Sequence, residues 1–135
     1  MVLQLDRMTY DEVADYLRTG PGIAIVPVGA TEQHGIHGAT GTDTFAATHV
    51  ALKVAERVNG VVLPALPYAI SIHHIAFPGT ITLHPGTLVQ VMKEICQSLI
   101  RQGFKVILLL SGHRGNDDSL RVAAMESANQ AGPIS

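Results

Sequence analysis

The chain has no tryptophan, three phenylalanines and three tyrosines, an aromatic share of 4%. That scarcity argues against a surface that stacks nucleic-acid bases. Charge of either sign is thin as well: nine basic and eleven acidic side chains among 135 residues, for a formal net charge of -2. Without a basic excess there is no electrostatic case for nucleic acid or for an anionic membrane. A single cysteine, Cys96, excludes an internal disulfide. It sits in the apolar helical pattern VMKEICQSLI, where a buried inert thiol is expected rather than a nucleophile. One cysteine fits a reducing, cytoplasmic setting. The opening residues, MVLQLDRMTYDE, carry no basic stretch followed by an apolar one, so no signal peptide is expected. The longest purely apolar run, Val106 to Leu110, is far too short to span a bilayer.

What is present is apolar residues and histidine. Hydrophobic residues make up 47% of the chain, enough for a real core, and the length suits one domain covering residues 1–135. No repeat or linker is visible, and the segments alternate. TYDEVADYLRTGPG reads as a short helix, with Thr9 and Glu12 at capping-box spacing. Ile23 to Gly29 is a β-branched run and hence a buried strand. Asp43 to Gly60 is a helix whose inner face would hold Phe45, Val50, Val54 and Val58, ending at Asn59-Gly60. VVLPALPY is a strand that its prolines shorten or bend, and Thr80 to Leu83 is a candidate short strand. Thr87 to Gly103 is the clearest amphipathic helix, with Leu88, Val91, Met92, Ile95 and Leu99 at helical spacing. Lys105 to Gly112 is the strongest strand and is expected to be central. A last helix runs from Asp117 to Gly132. This alternation predicts a mostly parallel sheet with helices on its faces, and ligands beyond the carboxyl ends of its strands.

Of seven histidines, His34, His37, His73, His74, His84 and His113 fall in loops or at element ends, and His49 falls within a helix. Glu32 and His34 are two residues apart in an extended segment, so they point to one side. Asp43, at a helix start, can turn back toward them. His113 arrives from the end of the strongest strand. Two carboxylates and two imidazoles form a mixed oxygen and nitrogen set suited to Zn²⁺ or Mn²⁺ and without the thiolates of a structural zinc site. Asp43 has two oxygens and so could bridge two ions. The sequence SGHRGN between a strand and a helix raises anion binding as a competing reading, but neither a Walker A nor a dinucleotide fingerprint accompanies it.

Three segments, PVGATEQHGIHGATGTD, HIAFPGTITL and SGHRGN, resemble the creatininase (creatinine amidohydrolase) family in order and in spacing. The resemblance implies a three-layer α/β/α domain with a mostly parallel sheet, homo-oligomers that are usually hexamers, and a centre of two divalent ions (Zn²⁺, Mn²⁺ or Fe²⁺). It implies hydrolysis of a small, non-peptide, often cyclic amide such as creatinine by metal-activated water. Carried over, Glu32, Asp43 and His113 would hold one ion, and His34 and Asp43 the other. His37 and His74 would line the pocket as candidates for proton transfer; His74 precedes FPGT at the family's spacing, and the adjacent His73 is read as incidental. Phe77-Pro78-Gly79-Thr80 is expected to be a rigid turn, with Gly79 supplying an unusual backbone angle.

The chain departs from the pattern in two ways. Creatininase itself has a glutamate two residues after the strand-end histidine, where this chain has Gly115. Family members are nearly twice as long, so the likeness is to their N-terminal portion, with the fold incomplete. The alternative to an amidohydrolase is therefore a truncated or partner-dependent subunit that binds metal incompletely, with a second chain completing the site.

Overall fold

The computed structural model describes residues 1–130. One sheet holds four parallel strands, β1 (Leu3–Gln4), β2 (Ile23–Val28), β3 (Val61–Val62) and β4 (Val106–Ser111), in the spatial order β1-β3-β2-β4. The helices are α1 (Tyr10–Thr19), α2 (Thr42–Val58), α3 (Pro85–Gln102) and α4 (Asp117–Gln130). The sequence reading carried the last helix to Gly132, and its final two residues lie outside the described ones.

β2 explains the layering. Its side chains alternate between faces. Ala24, Val26 and Val28 pack with Tyr16 of α1, Leu88, Met92 and Leu99 of α3, and Leu120 and Ala123 of α4. Ile25 faces the other way and packs with Ala51 and Ala55 of α2. A strand buried on both faces reads as a continuous apolar run, and IAIVPV does so. The result is the three-layer α/β/α arrangement expected from the alternation.

Local signals set the helix ends. Thr9 and Glu12 form the reciprocal capping box at the start of α1. The α1 residue Tyr16 anchors its buried hydroxyl, accepting from the Ile23 N–H at 3.0 Å and donating to the Asn59 carbonyl at 2.9 Å. α3 opens on Pro85 in its first turn and closes at Gly103, and Asn59 closes α2 in the left-handed region at φ 51°. Cys96 is buried as expected, and burial pushes its thiol pKa up.

Four expectations change. α2 presents Ala47, Ala51 and Ala55 to the sheet; of the expected face Val54 packs partly buried beside them, while Phe45, Val50 and Val58 are exposed. Small side chains let the helix lie close to the strands, and that geometry outweighs the larger apolar stripe. β3 is only Val61–Val62, since Pro64 and Pro67 interrupt the ladder, and Ile81 and Thr82 make isolated bridges to Thr31 and Ala69 rather than a strand. β1, too short to show a period, was not anticipated. β4 is an edge strand among the described residues, not a central one, with Val106 and Leu108 52% and 40% exposed. No described helix is long and apolar enough to cross a membrane.

Candidate metal centre

β2 and β4 run side by side in register from Ile23 opposite Val106 to Val28 opposite Ser111. The loops leaving both strands therefore open on one edge of the sheet, as a parallel pair requires. Glu32 follows β2, His113 follows β4, and Asp43 is in the first turn of α2. The backbone holds Glu32 in place: its N–H donates to the Thr40 carbonyl at 3.0 Å, and the neighbouring Thr31 carbonyl accepts from Ile81 at 2.9 Å.

Asp43 lies between two imidazoles. Its Oδ1 is 3.0 Å from His34 Nε2, and its Oδ2 is 3.1 Å from His113 Nδ1. His113 Nδ1 is also 3.3 Å from Glu32 Oε1. On each ring the other nitrogen meets a backbone carbonyl: His34 Nδ1 donates to Glu32 O at 3.2 Å, and His113 Nε2 donates to Ile70 O at 2.7 Å. A carbonyl only accepts, so each of those nitrogens must carry the proton. In the neutral rings, Nε2 of His34 and Nδ1 of His113 are then left as bare lone pairs facing carboxylate oxygens. Only a proton or a cation between them relieves that opposition. A backbone carbonyl on the far nitrogen is also how metal-ligating histidines are oriented.

Burial raises the cost of leaving these groups unpaired. The Glu32 and His113 side chains are 6% and 9% exposed, and Glu32 Oε2 and Asp43 Oδ2 are buried without a hydrogen-bond donor. Glu32, Asp43 and His113 bring ligand atoms within 4.8 Å of one another. The donor set therefore fits a divalent ion. The Glu32 carbonyl accepting from Nδ1 raises the pKa of His34, desolvation opposes this, and the Asp43 carboxylate adds to the rise.

The surrounding residues lock this geometry. Fully buried Asn116 donates through Nδ2 to the Gly29 carbonyl at 2.8 Å and accepts at Oδ1 from the Ile70 N–H at 3.1 Å. It thereby ties together the end of β2, the segment bearing the His113 acceptor, and the loop after β4. The sequence reading placed Asn116 within the SGHRGN motif but gave it no role; a polar residue at the start of a helix carries no signal of burial. Gln33 was missed altogether. Its side-chain Nε2 lies 3.0 Å from His74 Nδ1, and its N–H donates to Thr80 Oγ1 at 3.2 Å. Phe77–Thr80 forms the expected turn, with the Thr80 N–H on the Phe77 carbonyl at 3.2 Å and Gly79 at φ 85°. At Gly115, a Cβ would fall 2.5 Å from His113 Nε2 and 2.7 Å from the Ile70 carbonyl. This backbone therefore needs glycine to keep the His113–Ile70 hydrogen bond.

The remaining candidates fall in different places. His74 lies at the rim of the cluster in a 3₁₀ turn, Ile72–His74. His73, read from the sequence as incidental, has Nε2 3.9 Å from Glu32 Oε2 and its ring parallel to that of His113. His37 sits exposed in the turn before α2 with no hydrogen bond or ion pair to the cluster, and Arg114, His49 and His84 are exposed. A cleft of about 890 Å³ lies between β1, α1 and α2 and contains none of the candidate ligands.

The family model described as "Creatininase: Creatinine amidohydrolase" matches residues 6–134. The chain belongs to the creatininase family. It is 33% identical over 114 residues to the creatinine amidohydrolase of Pseudomonas putida, covering 81% of this chain and 44% of that protein. It is 32% identical over 107 residues to the 3-dehydro-scyllo-inosose hydrolase of Thermotoga maritima, covering 78% and 34%. It is 35% identical over 107 residues to the mycofactocin precursor peptide peptidase of Mycolicibacterium smegmatis, covering 75% and 43%. Among solved structures, a manganese creatininase and a zinc-zinc creatininase superpose with TM-scores of 0.90 and 0.89 at 29% identity, each covering 96% of this chain and 52% of the other. The chain thus spans about half the length of these relatives or less.

Proposed function

We propose that this creatininase-family chain is, or forms part of, a metal-dependent hydrolase that cleaves a C–N amide bond in a small molecule. Asp43 carries the reading: it lies about 3 Å from two imidazole nitrogens whose partner nitrogens are both committed to backbone carbonyls. Glu32, Asp43 and His113 would hold one divalent ion, and His34 with Asp43 would hold a second. When bound, such ions supply Lewis acidity toward a carbonyl oxygen and make water more acidic. The rest falls to the chain. The Ile70 and Glu32 carbonyls keep His113 and His34 in the tautomers that present a lone pair to the centre. His74, with Gln33 on its Nδ1, carries its proton on Nε2, where it can pass to the leaving nitrogen. His37 is proposed as a pocket residue ahead of its turn. Residues 1–135 are proposed to act as one domain, in a cytoplasmic homo-oligomer.

The relatives' names cover a cyclic amide, an inosose and a peptide, so the family likeness alone does not choose the substrate. A small cyclic amide of the creatinine type is the substrate we propose to test first. The experiment is elemental analysis of the purified chain after loading with Zn²⁺, Mn²⁺ or Fe²⁺, beside an assay for amide hydrolysis. Metal in stoichiometric amount is expected. Wild-type chain that holds none after loading would refute the reading.

Gly115 supports a second reading. The backbone there has no room for the glutamate that completes the second ion's ligands in creatininase itself. In this reading the chain binds metal but needs a further segment or partner chain for turnover. Full amide hydrolysis by the pure chain would rule it out.

A further inference from the structure

We infer that Gln33 is a positioning residue that assigns His74 its part: it makes this histidine present Nε2–H to the substrate's leaving nitrogen and keeps it out of the metal's ligand set. The inference deepens the hydrolase reading proposed above and rests on it. Proximity alone would allow the opposite role, since Glu32, His73 and His74 bring ligand atoms within 4.8 Å of one another. A metal binds an imidazole through a free lone pair. Gln33 leaves His74 none.

The Gly35 N–H can only donate. It lies 2.9 Å from one end of the Gln33 amide, so that end is the oxygen, Oε1. The other end is then the NH₂ group, and it lies 3.0 Å from His74 Nδ1. Opposite a group that only donates, Nδ1 must accept, and the proton of the neutral ring is left on Nε2. One nitrogen of His74 is therefore occupied and the other carries hydrogen. Gln33 also holds the far end of the same turn, where its backbone N–H donates to Thr80 Oγ1 at 3.2 Å. Between these two points the Phe77 N–H donates to the His74 carbonyl at 3.0 Å and the Thr80 N–H to the Phe77 carbonyl at 3.2 Å. The Phe77 ring meets the His74 ring edge-on, with centroids 6.1 Å apart. Packing thus fixes where the imidazole lies, and the amide fixes which nitrogen bears the hydrogen. Gln33 stands between the candidate ligands Glu32 and His34, so one short segment supplies ligands and sets the neighbouring donor.

The test is nitrogen-15 NMR of the imidazole rings in the full chain, metal-free and loaded with Zn²⁺, at about pH 8.5, where an ordinary imidazole is neutral. A ring nitrogen bearing hydrogen and one with a bare lone pair resonate far apart, so each tautomer is read directly. Metal-free wild type should carry the His74 proton on Nε2. Gln33→Glu puts an acceptor where the donor was and should move that proton to Nδ1, a shift that a residue with only a packing role would not produce. Zn²⁺ should shift His34 and His113 in wild type and leave His74 unmoved. In Gln33→Met, which keeps the length and removes the amide, Zn²⁺ should shift His74 as well. The inference is overturned by a wild-type proton on Nδ1, by an unchanged tautomer in Gln33→Glu, by Zn²⁺ that shifts His74 in wild type, or by Zn²⁺ that leaves it unmoved in Gln33→Met; each outcome leaves the metal centre standing. Zn²⁺ that moves neither His34 nor His113 refutes the metal centre instead, while the metal-free tautomers still decide whether Gln33 governs His74. Circular dichroism establishes that each variant is folded. If neither folds, scalar coupling across the Gln33 Nε2–H to His74 Nδ1 hydrogen bond in wild type carries the test, and its absence overturns the inference.

Discussion

The two sides of Asp43 are built differently. On one side Glu32 and His113 are nearly buried, Nε2 of His113 is committed to the Ile70 carbonyl, and Asn116 holds that acceptor in place. On the other, His34 is 26% exposed and His37 lies in an open turn with no hydrogen bond or ion pair to the rest. The closed side is made at the ends of β2 and β4, whose pairing fixes it. The open side depends on loops and lacks the carboxylate that the resemblance would put at position 115. A rigid sheet edge can therefore specify one side of the proposed metal centre, while the other side depends on whatever approaches it.

The largest expected effect comes from the residue both sides share. Asp43→Asn should weaken binding of the tightest ion by about 100-fold or more, measured by calorimetry or elemental analysis. If binding survives, Asp43 is not the hinge of the centre. Glu32→Gln should separate binding from stability. It should lose metal while raising the stability of the metal-free chain by about 1–3 kcal/mol, because a buried charge without a donor is removed. Lower stability in urea melts would show that Glu32 is satisfied in some other way. In the same melts, metal at about 100 times its Kd should stabilise wild type by about 2.7 kcal/mol and leave Glu32→Gln unmoved. Gly115→Ala tests the closed side from behind. Its Cβ should displace His113 from the Ile70 carbonyl and cost about 10- to 100-fold in metal affinity. The smallest effect is expected on the open side: His37→Ala should leave metal binding unchanged and shift stability by less than about 0.5 kcal/mol. A large loss would bring His37 into the site.

The parts legible in the sequence were those set by short-range chemistry. The capping box at Thr9 and Glu12, the left-handed stop at Asn59, the turn at Gly79 and the buried run of β2 each follow from a few adjacent residues. Glu32, Asp43 and His113 were readable because parallel strands deliver their loops to one edge. What was not legible depended on partners far along the chain. α2 turned its alanines inward because a close-packed sheet lay there, which no periodicity within the helix reports. β4 carries as apolar a sequence as β2, yet lies at the edge of the sheet among the described residues, since an apolar run states only that a strand can be covered. His73 was set aside because spacing favours one histidine of a pair, whereas its place over His113 comes from the anchoring of Ile70 and Ser71.

The two hydrogen bonds of Asn116 reach across 46 and 87 residues of chain. Loops that long close only once the strands and helices between them have assembled, so no fragment of the molecule can form the ligand cradle early. Ion capture is therefore a late event in folding, and the rate at which a refolding chain acquires cobalt colour should measure completion of the native state rather than any intermediate collapse.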